Sequence, residues 1–284
     1  MKIAVTAASG HLGASIVNAL LALIPKGNII ALARTPEKAE NLGVEVRPGD
    51  YENPTQLQQS LQDVGTLLLI SGMDEPSKRI GQHRNVINAA KQAGVNKIVY
   101  TSIQGAEEGT AFSPVVQSNR QTEQDVIDSG LDWVIGRNGI YIEPDIEYID
   151  NYKKVGHVFN CADKGLCGYT TRPELAYAYA RMLSEDKHSG KIYNLNGEAI
   201  SQQKLTNYLN DAFDAQLTYQ SMSVEDYRKT RSNELGDFLG TIIAGIYQGI
   251  REDKVNNPSD FLQAAGREHQ SWDSFFTHLK GKSA

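Results

Sequence analysis

The sequence predicts an α/β protein, a doubly wound parallel sheet with a smaller and mostly helical C-terminal lobe. Three observations predict it. Short apolar runs alternate with segments of helical periodicity as far as about residue 140. A glycine-bearing turn joins the first run to the first helix, and the rhythm breaks after Arg137, where an irregular stretch leads into further helices. The predicted division is therefore 1–140 for the sheet domain and 141–284 for the lobe, with one strand near 191–195 returning to the sheet.

Taken in order, Ile3, Ala4, Val5 and Thr6 form the first strand, and Leu12, Ile16, Val17, Leu20 and Leu23 recur at helical spacing until Pro25 and Gly27 stop the helix. Residues 29–33, 44–47 and 66–70 are the next strands, the last apolar almost throughout, as befits a strand covered on both faces. Asn53 and Pro54 read as N-cap and first helical residue ahead of Leu57 and Leu61. Val86, Ile87 and Ala90 face inward on a helix closed by Gly94. Residues 97–101 and 133–135 supply two more strands, with a helix over 122–129 between them. Such alternation implies right-handed crossovers and helices on both faces. Beyond it, Tyr141, Tyr148 and Tyr152 fall in an irregular polar stretch, a helix follows Thr171-Arg172-Pro173, and Ser201 caps the start of the helical lobe.

Composition narrows the function. The chain has 284 residues and a formal net charge of −6, with no basic excess to attract nucleic acid or anionic lipid. Its two cysteines, Cys161 and Cys167, exclude a disulfide framework and suit the reducing cytoplasm, where the protein is expected. Residues 3–25 carry no charge but are interrupted by Ala7-Ala8-Ser9-Gly10-His11, so they form neither a secretory h-region nor a membrane span. The six histidines show no metal-binding spacing, and no metal is expected. Gly-x-Ser-x-Gly is absent, which removes the hydrolase elbow.

The turn Thr6-Ala7-Ala8-Ser9-Gly10-His11-Leu12-Gly13 lies between a strand and a helix, where free N–H groups and the positive helix end favour a diphosphate. About 20 residues on, at the end of the second strand, stands the position that touches the adenosine ribose in Rossmann domains. It is Arg34, not a carboxylate. A guanidinium offers paired donors to a 2′-phosphate, so the expected cofactor is NADP(H).

The spacing of Ala7, Gly10 and Gly13, then Gly49-Asp50-Tyr51, Ser71-Gly72, the helix 82–90, Tyr100-Thr101-Ser102 and Arg137-Asn138-Gly139-Ile140-Tyr141 together resemble the NmrA-like atypical short-chain dehydrogenases. Within them the likeness is to bacterial NAD(P)H:quinone oxidoreductases and triphenylmethane-dye reductases. The resemblance implies that Ser9 and His11 flank the phosphates and that Asp50, Ser71 and Gly72 border the adenosine and ribose. It implies an NADPH-dependent enzyme passing hydride to a quinone or similar electron-poor acceptor, or else a non-catalytic NADP(H)-binding redox sensor acting on a partner protein. One departure stands out: the family usually has Gly where this chain has Ala7, and an added methyl fits a tight turn only if φ is negative there.

No tyrosine is followed by lysine four residues on, so the usual short-chain dehydrogenase acid pair is missing. What remains at the C-terminal edge of the sheet is Thr101, Ser102, Asn119, Asn138 and Tyr141. The last three are the candidate catalytic groups. Each has a plain alternative: Asn119 as a polar residue on a helix surface, Tyr141 as a core or lid tyrosine.

Overall fold

The computed structural model describes residues 2–283. Its first half runs β1 (Lys2–Val5), α1 (His11–Leu21), β2 (Ile29–Ala33), β3 (Glu45–Pro48), α2 (Pro54–Ser60), β4 (Val64–Ile70), α3 (Pro76–Ala93), β5 (Lys97–Ile103), α4 (Ser113–Ile127) and β6 (Asp132–Asn138). Then come β7 (Ile140–Tyr141), α5 (Glu143–Glu147), α6 (Ile149–Val155), β8 (His157–Asn160), β9 (Leu166–Cys167), β10 (Tyr169–Thr170), α7 (Arg172–Ser184) and β11 (Lys191–Leu195). The chain ends in β12 (Ile200–Ser201), α8 (Gln202–Phe213), β13 (Thr218–Ser221), α9 (Val224–Leu235), α10 (Asp237–Arg251), α11 (Phe261–Ala265) and α12 (Trp272–Ser283).

Seven strands form one parallel sheet in the order β11-β6-β5-β4-β1-β2-β3. Because successive side chains alternate faces, Ile29, Ala31 and Ala33 of β2 enter one core with α1, α7 and α11, while Ile30 and Leu32 enter the other with α2 and α3. That is the doubly wound architecture the alternation predicts. The order in which strands are added reverses between β1 and β4, and ligands of such sheets lie in the crevice outside the carboxyl ends of the strands at that switch point.

The capping residues behave as their chemistry requires. The side chains of Asn53, Thr171 and Ser201 accept hydrogen bonds from the N–H groups of Gln56, Glu174 and Lys204, and Gly94 ends α3 in the left-handed region at φ 77°. Leu23 departs from expectation: α1 stops at Leu21, and Leu23 is exposed.

The stretch after Arg137 is more regular than its polarity suggests. Tyr148 joins two short helices, α5 and α6, and Tyr152 lies within the second, buried. Helix α7 then packs beside α1 on the sheet, so residues 172–195 and 261–265 share the first core with the segment before residue 140. The remaining lobe has its own core, built from Tyr152, Tyr169, Leu205, Leu209, Ile250 and Trp272. Among the described residues no helix is long and apolar enough to cross a membrane.

Candidate cofactor and acceptor site

At the switch point the chain leaves β1 through Thr6 and turns into α1. Gly10 is the N-cap and provides no side-chain cap, and no acidic residue stands in the first turn. The positive end of α1 is therefore left open to an anion, with Ser9, Gly10 and His11 exposed around it and Leu12 and Gly13 buried behind. Gly13 cannot be anything larger: a Cβ there would strike the Ala7 carbonyl oxygen and come within 2.8 Å of Ala8 Cα. The turn itself is closed by the Gly10 N–H donating to the Ala7 carbonyl at 3.0 Å.

Ala7 overturns one expectation. Its φ is +47°, in the left-handed region, so the methyl is carried at a conformational cost of about 1–2 kcal/mol rather than accommodated by a negative φ. Thr6 has its side chain engaged within the sheet. It is buried, accepting from the Ile70 N–H at 2.9 Å and sharing a 2.5 Å hydrogen bond with the Tyr51 hydroxyl, so it ties β1 to β4.

Arg34 emerges at the end of β2, exposed and in none of the ion pairs among the described residues. Its charge helps hold the Asp74 carboxyl below the usual range, after the larger effects of Gln82, which hydrogen-bonds it, and of Lys78. Asp50 is half-buried, and its Oδ1 accepts from the Glu52 N–H at 3.0 Å, the geometry of a turn former.

The exits of β4 and β5 are knitted to each other. The Ser71 N–H donates to Thr101 Oγ1 at 2.9 Å, and Ser71 Oγ lies 2.7 Å from the Thr101 carbonyl and 2.9 Å from Asn119 Oδ1. Tyr100, whose phenol burial pushes up to about 12, donates to the same Asn119 oxygen at 2.7 Å. Asn119 completes its bonding by donating to the Val115 carbonyl at 2.9 Å. It is thus neither on a helix surface nor free to act on a substrate; it is a buried brace. Ser102 is likewise engaged, donating to Glu123 at 2.5 Å, and that carboxylate also takes a two-pronged grip from Arg137 at 2.9 and 2.6 Å. The Gly72 N–H donates to His83 Nε2 at 3.0 Å, which places the ring proton on Nδ1, facing Thr122 Oγ1 at 2.9 Å. Neither His83 nor Tyr100 stood out as a supporting residue, because each reads as ordinary core inside its motif.

Asn138 and Tyr141 do come together. Asn138 Oδ1 lies 2.7 Å from the Tyr179 hydroxyl, and its Nδ2 donates to the Tyr141 hydroxyl at 3.3 Å. Tyr141 therefore accepts from within the protein and keeps its own proton to donate. Burial pushes its pKa to about 12, so the hydroxyl stays protonated at neutral pH and is a weaker acid than an ordinary tyrosine. Tyr141 also lines a cavity of about 160 Å³ walled by residues of β7, α5, α6, β8, α9 and α10.

The cysteines take no part. Both are free and buried, and burial raises Cys161 to about 11 and Cys167 well above the normal thiol range, which leaves them inert. No group of three His, Cys, Asp or Glu able to hold a metal occurs among the described residues.

Comparison with known proteins agrees with this geometry. The family model described as NAD(P)H-binding matches residues 7–184. The chain is 37% identical over 265 residues to quinone oxidoreductase 2 of Escherichia coli K12, covering 92% of each, and 30% identical to an NmrA-like family domain-containing oxidoreductase of Aspergillus flavus, covering 86% of this chain and 83% of the relative. Among solved structures it superimposes on an E. coli NADPH-dependent quinone oxidoreductase complexed with NADPH at a TM-score of 0.90, with 33% identity over 98% of this chain and 99% of that one. It matches a Citrobacter triphenylmethane reductase complexed with NADP(H) equally well, at a TM-score of 0.90 and 31% identity over 98% of this chain and 100% of the other. With a glycine-cradled helix start at the switch point and these relatives spanning almost its full length, the chain belongs to the NAD(P)H-binding family, among the NmrA-like atypical short-chain dehydrogenases.

Proposed function

We propose that this protein is an NADPH-dependent oxidoreductase that passes hydride to a quinone or a similarly flat, electron-poor acceptor. The observation that carries the reading is the position of Tyr141, which sits between the uncapped end of the sheet, beside Asn138, and an aromatic cavity in the lobe. A protein that only sensed the cofactor would need no such cavity. The residues fit NADPH: the open α1 terminus, packed tightly on the turn at Gly13, suits a diphosphate, and exposed Arg34 suits the 2′-phosphate. NADPH supplies the hydride when bound. The chain's part is to hold the dinucleotide, exclude bulk water with the lobe, and present the Tyr141 hydroxyl to an acceptor oxygen.

The lack of a strong acid selects the acceptor. Hydride added to an ordinary ketone leaves an alkoxide, whose conjugate acid is about as weak as water at roughly 15.7, while a quinone becomes a phenolate with a pKa of about 10. The gap of about six units amounts to on the order of 8 kcal/mol of anion that needs no neutralising, although only part of it is felt in the transition state. Following NADPH oxidation against quinones and unactivated ketones tests this. Quinones should be turned over and ketones should not, and Tyr141→Phe should slow quinone reduction by less than the roughly hundredfold expected on losing a general acid. Efficient ketone reduction would refute the reading, and NADPH binding with no oxidation by any acceptor would establish a sensor instead. We place this activity in the cytoplasm, with a small molecule rather than nucleic acid as partner.

A further inference from the structure

Glycine is a poor strand residue, since it packs nothing and loses the most freedom on ordering, yet Gly136 stands inside β6, paired with β5 on one side and β11 on the other. Its space is taken. A Cβ there would overlap the Tyr179 hydroxyl and come within 2.7 Å of Tyr179 Cζ and 2.8 Å of Leu195 Cδ1. The sheet thus leaves out a side chain, and α7 fills the gap with a fully buried phenol whose hydroxyl lies 2.9 Å from the Gly136 carbonyl and 2.7 Å from Asn138 Oδ1. Phenylalanine would fill the same core. What tyrosine adds is one proton at the strand end, and burial, which pushes its pKa well above the usual value, keeps that proton in place.

That proton decides which way the Asn138 amide faces. In the orientation the structure shows, Tyr179 donates to Oδ1, so Nδ2 is turned to Tyr141 and donates to its hydroxyl at 3.3 Å. In the reverse orientation Nδ2 would donate to Tyr179, whose proton would move to the Gly136 carbonyl, and Oδ1 would take the Tyr141 proton. Only the first leaves Tyr141 a proton for the cavity it lines. We propose that Tyr179 is a positioning residue for the reaction: by donating to Asn138 it holds the amide so that the Tyr141 hydroxyl offers its proton to the acceptor oxygen instead of to the protein. Without the Tyr179 hydroxyl, Oδ1 would be buried with no donor, and the amide escapes that cost by turning over and drawing in the Tyr141 proton. The inference deepens the acceptor reading above and rests on it for the use of the proton, while the direction of the hydroxyl can be read without turnover.

The test compares wild type, Tyr179→Phe, Tyr141→Phe and the double variant as full chains, reading kcat with 2,6-dimethyl-1,4-benzoquinone at saturating NADPH together with the NADPH dissociation constant. Tyr179→Phe should lower kcat about two- to tenfold, the worth of one hydrogen bond, and by the same factor as Tyr141→Phe. The double variant should be no slower than Tyr141→Phe alone, and NADPH affinity should not change. A loss from Tyr179→Phe that persists in the Tyr141→Phe background, or that comes with weakened NADPH binding, would reduce Tyr179 to a core residue and overturn the proposal. Equal turnover by all four proteins would remove Tyr141, and Tyr179 with it, from the reaction. Ultraviolet resonance Raman difference spectra against the matching Tyr141→Phe protein isolate the Tyr141 hydroxyl, which should act as an acceptor in wild type and as a donor in Tyr179→Phe; the same state in both would overturn the proposal. If no quinone is reduced, the activity reading fails while these spectra still decide the direction of the hydroxyl. Should Tyr179→Phe not fold, Asn138→Asp asks the same question with Tyr179 in place, since a carboxylate only accepts and should turn the Tyr141 proton inward in the same spectra.

Discussion

Protonating His83 should cost the fold a calculable amount. The ring is fully buried, and burial, assisted by the neighbouring Arg79 charge and opposed by Asp125, pushes its pKa from 6.5 to about 3. Tyr51 and Tyr100 complete its surroundings edge-on at 6.2 and 5.7 Å, and neither offers a charge. Both ring nitrogens are committed, Nε2 as acceptor from the Gly72 N–H and Nδ1 toward Thr122. A second proton on Nε2 would set one N–H against another. A histidine whose folded pKa lies below its unfolded value binds fewer protons when folded, so its contribution is fully present above pH 6.5 and is lost as pH falls toward 3.

Between pH 7 and pH 5 the unfolded ring gains most of its proton and the folded ring almost none, a loss of about 2 kcal/mol; near pH 3 the loss reaches about 4 kcal/mol. The figure at pH 5 is governed by the unfolded value, since any folded pKa below about 4 leaves the buried ring neutral. Urea unfolding of wild type and His83→Gln at pH 5, 6, 7 and 8 isolates this contribution, because other acid-sensitive groups such as Glu174 and His269 are common to both proteins. The variant should start less stable at pH 7 and lose about 2 kcal/mol less on going to pH 5. Parallel stability curves for the two proteins would refute the assignment of a neutral, doubly bonded ring.

Other expectations concern the cofactor side. Arg34→Ala should reduce NADPH affinity by about ten- to hundredfold and leave NADH affinity nearly unchanged, as titration of both dinucleotides would show; equal affinities in wild type would end the argument for a 2′-phosphate contact. Gly13→Val should abolish dinucleotide binding in a protein that retains its circular dichroism, since its Cβ meets backbone of the turn, and retained binding would place the diphosphate elsewhere. Ala7→Gly should raise stability by about 0.5–1 kcal/mol, the left-handed strain relieved less the added freedom of the unfolded chain, which thermal unfolding would report as a shift of about 1–4 °C. A lower melting temperature would show that the Ala7 methyl is held by packing worth more than the strain.

The parts of this molecule that sequence reveals are those in which local chemistry and final position agree. Most strands of the main sheet announce themselves as apolar runs, the edge strands Glu45–Pro48 and Lys191–Leu195 being mixed, and Asn53, Thr171 and Ser201 announce helix starts, because the same side chain that caps the helix is the one read in the sequence. Arg34 at the end of β2 and Gly13 in the turn were legible for the same reason. The sign of φ at Ala7 was not, since alanine is silent about the backbone it has been forced into. Nor was the cavity, whose wall draws on Tyr141, Tyr227 and Tyr247 from segments about a hundred residues apart, each of which reads alone as a core aromatic.

A further division explains why some expected site residues are braces and others remain candidates. Thr6, Ser71, Thr101, Ser102 and Asn119 all sit at the strand ends where a ligand would lie, yet each has its side chain satisfied from within the protein. Together with His83 and Glu123 they lock the exits of β1, β4, β5 and β6 into one platform. A polar group already paired gains little by meeting a ligand, because it exchanges one hydrogen bond for another, whereas an unpaired buried donor gains the full difference. On that criterion the groups left for chemistry around the strand ends include the open end of α1, the free guanidinium of Arg34 and the hydroxyl proton of Tyr141. The first two carry the positive charge that the diphosphate and 2′-phosphate of a dinucleotide call for, and Tyr141 lines the aromatic cavity. Residue type alone cannot separate these groups from their braced neighbours, since a threonine or asparagine at a strand end looks equally catalytic until its partners are known.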